Sequence, residues 1–242
     1  MSDILDEGSG GRVDPTSSLF QREWQTYRKM VDNNYLFHRE AYGRLKELLL
    51  AEVARPFRFL DIACGDASAT ADALAGTPIA HYAGIDLSIP ALEIARSTLT
   101  TLSCPITLHH RDFCEALREW SEPADIVWIG LSLHHLHARE KCSVMRDVRR
   151  ILRGEGILLI YENTSPDGEE RPAWLRRWDD QQPSWTAFTK DEWDAVRSHV
   201  WAADYPETIS RWRALGRSAG FRSVRQLFVA PTNLFRMWRF SV

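Results

Sequence analysis

From Phe57 to Glu162 this 242-residue chain alternates short apolar runs with segments of helical period, and few folds accommodate that alternation. The runs are "FRFLDI", "AHYAGIDL", "PITLHH", "ADIVWIGL" and "ILLIY". The intervening segments read as helices: about Ala67 to Leu74, then "IPALEIARSTLTTL" behind a Ser88 N-cap, then "RDFCEAL", then about Glu140 to Arg153. The last places Val144, Met145, Val148, Ile151 and Leu152 on one face and stops at "GEG". Such a rhythm predicts right-handed βαβ units and a parallel sheet covered on both faces, with the very apolar "ADIVWIGL" near its centre.

The flanks read differently. Residues 1–16, rich in Gly, Asp and Ser, predict a disordered lead-in, and apolar spacing over 19–53 predicts two helices with a turn at Asn33 and Asn34. After Glu162 the rhythm gives way to a Pro- and Trp-rich insert over 163–204, expected to act as a lid. Residues 205–242 predict a closing helix in "PETISRWRALGRSAGF", ending at Gly220, and two strands joined by "PTN", a link short enough only for an antiparallel hairpin. The expectation is one α/β domain over 17–242, Rossmann-like, with a seven-stranded, mostly parallel sheet.

Bulk chemistry removes several classes of partner. A net charge of -3 supplies no concentrated basic surface for nucleic acid, and the late arginines Arg171, Arg176 and Arg177 are interleaved with Glu169, Glu170, Asp179 and Asp180. No run approaches the ~18 apolar residues of a membrane span. Cys64, Cys104, Cys114 and Cys142 form no C-x-x-C pair, and the acidic start "MSDILDEGSGGRVDP" is unlike a secretory signal, so a cytoplasmic setting is expected.

Open parallel sheets bind ligands outside the carboxyl ends of their strands, which makes those ends the informative positions. They carry Asp61 to Asp66, Asp86, Asp112, Gly130 to His135, and Tyr161 to Asn163. The turn after the first strand holds one glycine, Gly65, where a dinucleotide fingerprint needs three. Carboxylates at three strand ends fit a ligand with hydroxyls, an amine and a cation, whereas a pyrophosphate wants backbone N–H groups and basic side chains. Each acid alone has an ordinary alternative as a helix N-terminal residue.

Taken in order, "LDIACGDAS", "AGIDLS", "HHRDF", "ADIVWIGLSLHHL" and "VRRILRGEGILLIYE" resemble the motifs of the class I S-adenosylmethionine-dependent methyltransferases, over roughly residues 20–242. The resemblance implies that Ala63, Cys64 and Gly65 lie against the ribose and methionine parts of S-adenosylmethionine. Asp61 would orient the loop or receive the ammonium, Asp86 would accept both ribose hydroxyls, and Leu87 would lie against the adenine. Asp112 would take the adenine amino group with Phe113 beside it, Gly130 would face the methionyl end, and His38 would reach the carboxylate. The first motif departs from the family by carrying Ala63 and Ala67 where glycines are usual, and alanine tolerates positive φ poorly.

Methyl transfer from a sulfonium is an in-line displacement in which positioning dominates, with a general base if the acceptor arrives protonated. His134, His135 and Glu162 are the candidate catalytic residues at the mouth of the sheet. The "LHHLH" cluster has no partner acid or cysteine recognisable in sequence, so no metal is expected. The resulting expectation is a methyltransferase acting on a small-molecule acceptor, its tryptophan-rich insert and N-terminal helices forming the acceptor pocket unless those tryptophans are simply the insert's own core. A methyltransferase or cofactor-modifying enzyme acting in RNA modification, and a non-catalytic S-adenosylmethionine-binding domain, remain alternatives.

Overall fold

The computed structural model describes residues 25–242, so the expected lead-in over 1–16 and the start of the first N-terminal helix lie outside the described residues. A helical segment α1 (residues 25–32) turns at Asn33 and Asn34 into α2 (His38–Glu52). The alternating core then runs β1 (Phe57–Ile62), α3 (Ser68–Leu74), β2 (Ile79–Asp86), α4 (Ile89–Thr98), β3 (Ile106–His110), α5 (Phe113–Glu119), β4 (Ala124–Gly130), α6 (Ala138–Ile151) and β5 (Leu152–Ser165). The remainder comprises α7 (Arg171–Asp179), α8 (Lys190–Ala203), β6 (Glu207–Thr208), α9 (Ile209–Ser218), β7 (Ser223–Val229) and β8 (Phe235–Ser241).

The main sheet has the order β3-β2-β1-β4-β5-β8-β7, parallel through β5 and closed by an antiparallel β8 and β7. Its seven strands match the sequence expectation, and the two-residue β6 adds a short parallel pairing at the end of β5. That pairing exists because β5 continues past the expected "ILLIY" to Ser165, so its last residues extend beyond the sheet mouth. Helix α6 ends at Ile151, and "GEG" lies inside the irregular start of β5, where the register with β4 shifts between Ala124 and Ile126.

Both faces of β1, β4 and β5 are buried, as parallel strands require when helices cover both sides. One apolar layer gathers α2, α3, α4 and the insert, and the other gathers α5, α6 and α9. Ser88 caps α4 by accepting the Ala91 N–H at 3.1 Å, as its sequence position predicts. No helix among the described residues is long and apolar enough to cross a membrane.

The insert has a core of its own. Trp174 and Trp178 are buried, Trp178 stacks on Trp193 with centroids 4.8 Å apart, and Trp185 stacks on Tyr35 at 4.7 Å. Tyr35 Oη accepts the Ala187 N–H at 2.8 Å, and Lys29 pairs with Glu192 at 2.7 Å. Aromatic burial therefore fastens the insert to the turn between α1 and α2, so truncating Trp174 or Trp178 is expected to damage packing first.

Gly216 in α9 shows how closely the second layer is packed. A Cβ there would lie 2.6 Å from Phe240 Cδ1 and 2.8 Å from Val224 Cγ2. Alanine favours the helix by about 1 kcal/mol over glycine, but overpacking costs about 1 to 3 kcal/mol. Gly216→Ala should accordingly lower the denaturation midpoint, with Phe240→Leu in the same chain recovering part of the loss. A Gly216→Ala variant more stable than the parent would contradict this packing.

Candidate functional site

The site begins where β1 hands over to α3. Ala63, Gly65 and Ala67 all adopt left-handed backbone, each with φ 55°. This conformation curls the turn so that Cys64 N–H reaches the Ile85 carbonyl at 3.1 Å. Asp86, at the end of β2, completes the turn: Oδ2 accepts the Gly65 N–H and Oδ1 the Ser88 N–H, each at 2.8 Å. A carboxylate has about four acceptor sites, so two such bonds leave room for ligand hydroxyls.

Beside this turn lies a cavity of about 650 Å³, walled on one side by the strand ends and on the other by α1 and α2. Of the ten sequence-predicted cofactor residues, His38, Ala63, Cys64, Gly65, Asp86 and Gly130 line it. Asp61 sits just behind the turn, buried, accepting the Tyr82 hydroxyl at 2.8 Å. Burial pushes its carboxyl up to about 7, against the Thr70 and Tyr82 hydrogen bonds that pull it down.

Leu87, Asp112 and Phe113 do not line the cavity. Leu87 is exposed at the rim, Asp112 caps α5 by accepting the Glu115 N–H at 3.0 Å, and Phe113 packs against the second apolar layer. The ordinary helix-capping alternative for Asp112 is thus realised with Oδ1.

Sequence reasoning missed the wall opposite the strands. Tyr27, Arg28 and Tyr42 line the cavity from α1 and α2, and Arg28 reaches across to Asp66 in the turn after β1 at 2.9 Å. Tyr27 Oη lies 3.3 Å from His38 Nε2, and burial lowers His38 to about 4, leaving it neutral near pH 7. Apolar spacing identified their helices but carried no signal that these polar side chains converge on the turn.

The three candidate catalytic residues do come together, but none of them lines the cavity. Glu162 is fully buried; its carboxylate accepts Ser132 N–H at 2.6 Å, Leu133 N–H at 2.5 Å, His134 Nδ1–H at 2.9 Å and Asn163 N–H at 3.0 Å. Burial alone would raise Glu162, yet His134 and Lys141 hold it below the usual carboxylate range. Burial would likewise lower His134, but the Glu162 and Asp204 carboxylates hold it above its ordinary value. Among these residues only His135 is exposed, its ring centroid 4.1 Å from that of His134. Glu162 shapes the cavity indirectly, by fixing Ser132 at its rim.

A sheet of this order, with a ligand-sized cavity at the carboxyl ends of its first strands, defines a Rossmann-like ligand-binding domain. Residues 59–156 of this Rossmann-like chain match the methyltransferase domain family. No curated protein sequence matches it at a significant level. Among solved structures it is similar to the pyocyanin biosynthetic protein PhzM, with 20% identity and TM-score 0.57, covering 82% of this chain and 54% of that one. An O-methyltransferase family protein from Burkholderia thailandensis gives 18% identity and TM-score 0.61, covering 88% and 59%. PigF, solved with SAH, gives 15% identity and TM-score 0.60, covering 96% and 63%. This chain thus spans 54 to 63% of the lengths of these structures.

Two outcomes follow from the turn. Left-handed backbone costs alanine about 1 to 2 kcal/mol, against about 0.5 to 1 kcal/mol for the extra freedom that glycine loses on folding. Ala63→Gly should therefore stabilise the fold by about 0.5 to 1 kcal/mol in urea denaturation, and a clear loss would contradict the geometry. Asp61 predicts a pH dependence. Between its unfolded value near 4 and its folded value of about 7 the native state binds the extra proton, so stability falls as pH rises through that window. Asp61→Asn removes this slope; its advantage over the parent should grow between pH 5 and pH 8, towards an upper limit of about 4 kcal/mol. Parallel stability–pH curves for the two proteins would refute the assignment.

Proposed function

We propose that this chain transfers a methyl group from S-adenosylmethionine to a small-molecule acceptor by in-line displacement. The observation that carries the reading is the Asp86 carboxylate, tied to Gly65 N–H at 2.8 Å and facing the cavity with acceptor capacity left over. That is the arrangement a ribose diol requires, because a carboxylate can accept two adjacent hydroxyls at once. A Cβ at Gly65 would meet no atom within 4 Å, so this face of the turn looks into ligand space.

The same reading assigns the methionyl end to Gly130 and His38, which line the cavity's other side, and its ammonium to the neighbourhood of Asp61. Leu87 and Asp112 would bound the adenine from the rim, where the ends of β2 and β3 pair at Asp86 and His110. A volume of about 650 Å³ falls within the ordinary range for small-ligand sites and can take the cofactor. The wall from α1 and α2, with Tyr27 and Tyr42, would orient the acceptor. Positioning of acceptor and sulfonium supplies most of the rate in such a displacement. The four free cysteines accord with a cytoplasmic setting.

The test is calorimetry with S-adenosylmethionine, S-adenosylhomocysteine and NAD, followed by detection of S-adenosylhomocysteine release across a metabolite panel. Asp86→Ala should weaken binding of the first two by about 2 to 3 kcal/mol while the protein stays folded. Gly65→Val should abolish it, since a β-branched residue is strained at φ 55° and projects into the ligand space. Binding of NAD in place of both sulfur compounds would overturn the reading, as would undiminished affinity in Asp86→Ala.

A further inference from the structure

Behind the cavity rim, the segment joining α8 to β6 meets the short helical turn that follows β4, and the meeting point is an unusual polar cluster. His134 Nε2 lies 3.8 Å and His135 Nδ1 3.7 Å from a single atom, Asp204 Oδ1. Neither distance is a hydrogen bond. Asp204 is 4% exposed, and its Oδ1 has no hydrogen-bond partner among the described residues. An orphaned carboxylate oxygen in a buried setting is costly, since removing it from water without a donor or cation forfeits its solvation.

Everything around that atom is fixed. Asn163 Nδ2 donates to Asp204 Oδ2 at 2.8 Å, and Arg171 Nε donates to the Asp204 carbonyl at 2.6 Å. Tyr205 N–H donates to the His134 carbonyl at 2.7 Å, and the buried Lys141 ammonium holds the Tyr205 carbonyl at 2.5 Å and Glu207 at 3.0 Å. On the other side, Glu162 engages His134 Nδ1 at 2.9 Å, which leaves Nε2 directed at the cluster. A carboxylate holding the far nitrogen of an imidazole, and an amide holding the far oxygen of a carboxylate, are the outer contacts that orient metal ligands.

We propose that His134, His135 and Asp204 form a binding site for one divalent transition-metal ion of the zinc class. Their ligand atoms all lie within 4.8 Å of one another. A tetrahedral ion with bonds of about 2.0 to 2.1 Å sets its ligands about 3.3 Å apart, so closure asks each imidazole to move about half an ångström toward Asp204, and asks for a contraction of up to about 1.5 Å across the widest ligand pair, which side-chain rotation of the exposed His135 can supply. Two imidazoles and one carboxylate select zinc, cobalt or nickel over magnesium, which prefers oxygen ligands. Three protein ligands leave a fourth position, and the exposed edge at His135 and His199, whose ring centroids are 5.3 Å apart, opens it to solvent. The proton-on-nitrogen alternative, a bare His–Asp network, leaves the same geometry without metal affinity. The site is independent of the cofactor assignment, being formed by residues that do not line that cavity.

The experiment is a Co²⁺ titration of the chelator-treated full chain, followed by its visible ligand-field bands, with Zn²⁺ and Mg²⁺ as competitors. One equivalent of Co²⁺ should bind, Zn²⁺ should displace it, and Mg²⁺ should not. His135→Ala, a change at an exposed position, should weaken Co²⁺ binding at least about tenfold and abolish the thermal stabilisation by Zn²⁺ seen in the parent. Asp204→Asn should act in the same direction. Absence of stoichiometric Co²⁺ and Zn²⁺ binding by the folded parent would overturn the proposal, as would unchanged affinity in His135→Ala or equal competition by Mg²⁺. S-adenosylhomocysteine affinity, measured on the same samples, separates failure here from failure of the cofactor reading.

Discussion

Glu162 is a buried carboxylate that the protein itself must solvate, and the ends of β4 and β5 are arranged around that requirement. Three backbone N–H groups and one imidazole converge on its two oxygens. Removing such a partner from a buried charge costs about 3 to 5 kcal/mol, so the loop after β4 has little freedom to rearrange. Ser132 is thereby fixed at the cavity rim and His134 is turned toward Asp204. One ion thus sets the boundary of the ligand cavity and the orientation of the histidine cluster behind it.

The two polar regions differ in how they treat charge. In the cavity, Asp86 receives two backbone donors and stays partly open, which suits a carboxylate with ligand hydroxyls still to accept. Asp61, deeper and served by the Tyr82 and Thr70 hydroxyls, is pushed toward its neutral form by burial. A cationic ligand group near it would reverse that, exchanging desolvation for attraction. Behind the rim the carboxylate of Glu207 is paired with the one buried lysine, those of Glu162 and Asp204 face two imidazoles, and one Asp204 oxygen is left without a donor among the described residues. Strain is stored where the chain has no glycine: Ala63 and Ala67 hold left-handed backbone because Asp86 and the pairing of β1 with β2 over-determine the turn.

The layering of the fold was legible in the amino-acid sequence alone. Five apolar runs separated by helical periods, with a hairpin signalled by "PTN", were enough to imply the parallel sheet and its antiparallel closure, because periodicities of 2 and 3.6 are local properties. The sequence also located Gly65 and Asp86, since strand ends are where such sheets bind ligands. Periodicity could not tell which tryptophans of the insert face a ligand and which face one another; packing against Tyr35 decided that Trp185 serves the latter role. Nor could any local pattern pair His134 and His135 with Asp204, because the acid lies some seventy residues downstream of them and only the extension of β5, the pairing of β6 and the Lys141 clamp bring it within reach. Contacts of that kind depend on how separately specified elements dock, and docking is fixed by burial and by the need to satisfy buried charges across the whole molecule, which no short stretch of sequence records.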